Sequence, residues 1–144
     1  MKKIMFFLIP VLASVLFCQV FTDTGAVLTG VSNSSVSWGD YDNDMDMDVL
    51  VTGFTGSVKI AKIYNNDHGT FTEIAAELTG VDFSSAAWGD YDGDGDLDLL
   101  LTGYADNPPF YSSKIYRNDS GSFTDINAGL TGVQSGSVAW GDYD

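Results

Sequence analysis

Five aspartates occupy alternate positions in W-G-D-Y-D-G-D-G-D-L-D-L-L-L-T-G, the stretch from Trp88 to Gly103: Asp90, Asp92, Asp94, Asp96 and Asp98. Carboxylates this close repel one another in a compact loop unless a cation sits among them. Hard oxygen ligands on a short loop suit Ca²⁺, which takes about six to eight oxygens at relaxed geometry. A near-copy lies upstream between Trp38 and Gly53, with Asp40, Asp42, Asp44, Asp46 and Asp48. A third begins at Trp140 and supplies Asp142 and Asp144. Acids at the first, third and fifth positions place oxygens on the inside of a tight turn. Gly95, at the sixth, supplies the positive φ such a turn needs. The first copy has Met45 there, at a cost on the order of 1 kcal/mol. Its site is therefore expected to be weaker or distorted, with Asn43, where the second copy has Gly93, taking up some of the turning.

The elements that must hold these loops come from a duplication. Trp38 to Trp88 is 50 residues and Trp88 to Trp140 is 52. Between Leu28–Gly53 and Leu78–Gly103, 17 of 26 positions are identical, which shared composition would not give. The two extra residues fall between Gly103 and Lys114, around Asn107-Pro108-Pro109, an exposed connection. Each repeat reads as four short strands: 34–38, 49–52, 59–64 and 71–75, then 85–88, 97–102, 113–116 and 123–126. Val49 to Thr52 is an unbroken apolar run, as expected of a strand buried on both faces. Helix signals are weak, with at most a turn over 74–78. Four strands per repeat of about 50 residues predict an all-β fold of propeller-type blades, each of four antiparallel strands. The boundaries are 28–77 for repeat one, 78–129 for repeat two and 130–144 for a truncated repeat three. About two and a half repeats make an incomplete propeller, so the chain is expected to be a piece of a longer protein.

Charge and composition narrow the functions. Lys2 and Lys3 precede an apolar run from Ile4 to Phe17, the pattern of a secretory signal over residues 1–19. The run is too short for a membrane span, and none is expected after cleavage. Residues 20–144 then carry 4 basic against 20 acidic side chains, a balance of −16, and 12 of the acids lie in the three aspartate stretches. That balance excludes nucleic acid as a partner, since phosphate recognition wants a basic patch. Cys18 is the one cysteine, so no disulfide framework braces the loops and bound Ca²⁺ is the candidate brace.

Other uses of these residues fit less well. An EF-hand wants glutamate at the twelfth position, where this chain has Leu101. His68, in Asn-Asp-His-Gly, reads as a turn residue, and its counterpart is Ser120. Trp38, Trp88 and Trp140 share one repeat position, which suits packing between blades better than sugar stacking. Tyr41, Tyr91 and Tyr143 lie inside the loops, to cover the metal or pack beside it. Paired aspartates could serve glycoside cleavage, but carboxylates neutralised by Ca²⁺ are poor proton donors, and no enzyme is expected.

The motif D-Y-D-G-D-G-D-L-D, after W-G and before an L-L-L strand, resembles the FG-GAP/VCBS-type repeat, the blade unit of integrin-α-like β-propellers. The resemblance covers residues from about 21 to 144. It implies that the loop between the first two strands of each blade binds Ca²⁺. Asp90, Asp92 and Asp94 would give side-chain oxygens, Asp96 a backbone carbonyl and Asp98 a closing carboxylate, with Asp40, Asp42, Asp44, Asp46 and Asp48 matching them. The resemblance implies a secreted or cell-surface calcium-binding module with an extracellular protein or glycan ligand at its variable loops. The alternative is a set of non-catalytic accessory repeats in a larger secreted enzyme.

Overall fold

A computed structural model gives the structure of the protein and describes residues 23–142. The expected signal over 1–19, together with Tyr143 and Asp144, lies outside the described residues. Eight strands form: β1 Ser32–Gly39, β2 Asp48–Phe54, β3 Lys59–Asp67, β4 Thr70–Glu73, β5 Val81–Gly89, β6 Asp98–Ala105, β7 Tyr111–Asp119 and β8 Ser122–Asp125. They build two four-stranded antiparallel sheets, each ordered as in the chain, β1-β2-β3-β4 and β5-β6-β7-β8. Among the described residues no helix is long and apolar enough to cross a membrane.

All eight expected strands exist, with different ends. β3 and β7 run on into their Asn-Asp turn residues because the tight hairpin keeps those groups paired, Asp67 with Thr70 and Asp119 with Ser122. β4 stops at Glu73, short of the expected residue 75. After Ile74 bonds Ile63 the backbone folds on itself, Ala76 N–H donating to Ile74 and Leu78 N–H to Ala76. Those bonds span two residues, so 74–78 makes tight turns and not a helical one. Leu97 falls outside β6, which opens at Asp98. Residues 126–142, which include the start of repeat three, carry no strand.

The sheets are held by apolar side chains on both faces of their second strands. Every residue of β2 but the last is buried. Leu50, Ala61 and Ile63 of the first sheet join Leu99, Leu101 and Tyr116 of the second in one core, while Val49, Val51 and Tyr64 form another on the opposite face with Phe71. The recurrent Leu-Thr-Gly ties each repeat to itself. The Tyr64 hydroxyl donates to Thr29 Oγ1 at 2.8 Å, and that of Tyr116 to Thr79 Oγ1 at 2.9 Å. The Trp-Gly pair ties one repeat to the next. Trp88 lies over Gly39 so closely that an added Cβ would sit 2.8 Å from its ring, and its indole N–H donates to the Ser37 carbonyl at 3.4 Å. Trp140 does the same over Gly89, donating to the Ala87 carbonyl at 3.0 Å. Trp88 and Trp140 thus pack between repeats, as their shared position suggested, whereas Trp38 is exposed and its ring meets Phe71 of its own repeat.

Candidate metal centre

The first acidic loop, residues 40–47, links β1 to β2, and the second, 90–97, links β5 to β6. The leading aspartate of each folds its loop by accepting backbone bonds across it. Asp90 takes the N–H groups of Gly93 at 2.7 Å, Asp94 at 3.2 Å and Gly95 at 3.0 Å. Asp40 takes those of Asp44 at 3.1 Å and Met45 at 3.0 Å. Such a turn requires left-handed backbone at two positions. Gly93 and Gly95 supply it in the second loop, with φ of 77° and 96°. In the first, Asn43 and Met45 adopt φ of 60° and 77°, so the strain expected at Met45 is present.

Side chains then divide between loop interior and hairpin. Oxygens of Asp90, Asp92 and Asp94 converge within 4.8 Å of one another, as do those of Asp40, Asp42 and Asp48. Asp44 and Asp94 each accept the amide two residues on, from Asp46 at 2.8 Å and Asp96 at 2.9 Å. Asp46 and Asp96 point their carboxylates at the β3–β4 and β7–β8 hairpins, accepting from His68 N–H at 2.9 Å and Ser120 N–H at 2.8 Å. Asp142, in the third stretch, is exposed, and Asp144 lies outside the described residues.

Asp48 and Asp98 are fully buried at the far end of each loop. Asp48 accepts from Tyr41 N–H at 3.1 Å and Asn66 N–H at 2.8 Å, and Asp98 from Tyr91 and Asn118 N–H, both at 2.9 Å. Burial pushes both carboxyl groups above the ordinary aspartate value; the amides pull the other way, and neighbouring aspartates add to the rise. Burial, with Asp44 close by, also raises Asp42. Among the described residues, no lysine or arginine forms an ion pair with any of the loop aspartates from Asp40 to Asp48 or Asp90 to Asp98. The Asp40/Asp42/Asp48 and Asp90/Asp92/Asp94 groups thus offer oxygen alone, which fits a hard divalent ion, while the imidazole of His68 lies 3.4 Å from Asp46.

The same stretch is what known families match. Residues 40–101 correspond to the family described as FG-GAP-like repeat. Over those residues the chain is similar to an FG-GAP-like repeat. No curated protein and no solved structure shows significant similarity to it. The FG-GAP-like match opens at Asp40, the leading carboxylate of loop one, and runs through the whole of loop two into β6.

Sequence reasoning missed the asparagines beside the acidic loops. Asn118 is fully buried, its Nδ2 donating to the Tyr41 carbonyl at 2.8 Å and to the Leu97 carbonyl at 3.1 Å, while its Oδ1 accepts from Gly121 N–H at 2.7 Å. Asn66 occupies the matching place, donating to the Met47 carbonyl at 3.0 Å and accepting from Gly69. Recurrence of Asn-Asp at 66–67 and 118–119 was the available signal, and it read only as a turn. The inserted loop holds a second surprise. Lys59 reaches from the first sheet to Asp106 at 3.0 Å and buried Asp82 at 3.7 Å, its ammonium 4.0 Å from the centre of the Tyr104 ring.

Proposed function

We propose that this chain is a calcium-stabilised, propeller-type repeat module, secreted or displayed at a cell surface, that binds an extracellular protein or glycan. The observation carrying the reading is the pair of acidic loops, each converging three aspartate oxygens within 4.8 Å with no lysine or arginine paired to them. Asp40, Asp42 and Asp48 would hold one ion and Asp90, Asp92 and Asp94 another, with Asp44 and Asp98 adjacent. The ion's chemistry here is structural: it cancels carboxylate repulsion and fixes the loop against the hairpin. Extracellular modules bind calcium at about 10⁻⁴–10⁻³ M, which suits a calcium-rich exterior.

The ligand surface in this reading is the rim around the inserted loop. A cleft of about 460 Å³ opens there between Lys59, Thr79, Asp106, Pro108 and Lys114, and Phe110 and Tyr111 stand exposed beside it. Calorimetric calcium titration of the chain beside an Asp90→Ala/Asp94→Ala variant tests the metal assignment. The variant is expected to lose one site; unchanged binding, or none in a folded wild type, overturns it.

A further inference from the structure

The two acidic loops touch. Tyr41 lies inside loop one between Asp40 and Asp42, yet it is buried, and its ring packs on Phe123 of the second sheet at 5.8 Å between centroids. Its backbone is held on both sides. The Tyr41 N–H donates to Asp48, and its carbonyl accepts from Asn118 Nδ2, whose own N–H donates to Asp98. Asp98 and Asp48, the buried carboxylates that end the two loops, are therefore joined by three hydrogen bonds of 2.9, 2.8 and 3.1 Å. A second tie runs over the surface, where Asn43 Nδ2 donates to the Gly95 carbonyl at 3.3 Å and to Asp96 Oδ1 at 3.0 Å.

We propose that the two loops bind calcium cooperatively, with Asn118 the positioning residue that carries the coupling from Asp98 to Asp48 through the Tyr41 backbone. The inference rests on the calcium reading of the loops. An ion that fixes loop two holds Asp98, hence Asn118 and the Tyr41 carbonyl. With Tyr41 held, its N–H keeps Asp48 aimed and loop one is partly ordered before its own ion arrives. Ordering done by the first ion is not repeated for the second, which is positive coupling between sites. Binding free energies are reciprocal, so each loop must lend the other the same factor. The path is short and buried, and each of its three links is one hydrogen bond, so removing one link breaks it.

The test compares calcium titrations of the full chain with two single-loop variants, Asp90→Ala/Asp94→Ala and Asp40→Ala/Asp42→Ala. Each is expected to weaken the remaining site about fivefold or more, and by equal factors. Asn118→Ala and, separately, the exposed Asn43→Ala are expected to leave two sites that bind with less cooperativity. Should Asn118→Ala fail to fold by circular dichroism, Asn43→Ala and the reciprocal loop variants carry the comparison. Hydrogen exchange without calcium adds a metal-free readout: the Tyr41 amide should exchange faster in Asn118→Ala. Two sites that ignore each other's loss, within twofold, overturn the coupling while leaving calcium binding intact. No binding by the folded wild type overturns both.

Discussion

Met45 holds φ of 77° where its counterpart Gly95 holds 96°, and only the glycine does so without steric cost. Met45→Gly should relieve about 1 kcal/mol of strain, partly offset by the freedom glycine adds to the unfolded chain. The net gain should appear as a tighter first calcium site with little change in melting temperature without the ion. Calorimetry of the variant checks this, and a weaker first site would contradict it. This residue could be judged from the sequence, because turn geometry fixes backbone sign at numbered positions. The division of labour among the aspartates could not. Asp46 and Asp96 alternate with the others like equal ligands, and only the hairpin beside each loop reveals that their carboxylates face His68 and Ser120.

The hairpins that end β3 and β7 hold the loops from the side, and the two do so unequally. Asn118 serves two carbonyls and an amide while fully buried; Asn66 is only half-buried and serves one carbonyl. Each unsatisfied buried group costs about 1–3 kcal/mol. Asn118→Ala should thus cost about 3 kcal/mol or more, and Asn66→Ala clearly less, measured by urea unfolding. Across β7 and β8, Lys114 pairs with Asp125 at 2.9 Å. Burial works against the Asp125 charge, but the Asn127 amide and Lys114 outweigh it and hold the carboxyl below its ordinary value. A carboxyl more acidic folded than unfolded stabilises fully above its unfolded value and loses that contribution as pH falls through the folded one. The melting temperatures of wild type and Asp125→Asn should therefore differ slightly at neutral pH and converge in acid. Strand existence and order were readable here because period and repeat agree. Strand ends were not, since Asn-Asp-Gly composition marks a turn without saying how far the ladder runs into it.

In the whole molecule, repeats are joined by a large side chain lying on a bare backbone. Gly39→Ala should displace Trp88 and cost about 1–3 kcal/mol, whereas at Gly141 no described atom lies within 4 Å of an added Cβ and the change should be nearly silent. Thermal unfolding of the two variants decides. The duplication, the all-β class and the role of Trp88 and Trp140 could be taken from spacing alone. Which sheet face meets which could not, because β2 and β6 are apolar on both sides and either orientation satisfies the pattern.

The Trp-over-Gly contact also puts heredity and mechanics out of phase. A copied unit of 50 residues, wherever its ends fall, delivers a tryptophan that needs the glycine of the unit before it and a glycine that receives the tryptophan of the unit after. Any two units are therefore already fitted to one another at their junction. Units can be gained or lost in whole numbers without a new interface having to evolve. The two residues by which the repeats differ in length fall instead in the connection between β6 and β7, away from the Trp–Gly contact, although Lys59 of the first sheet still reaches Asp106 there.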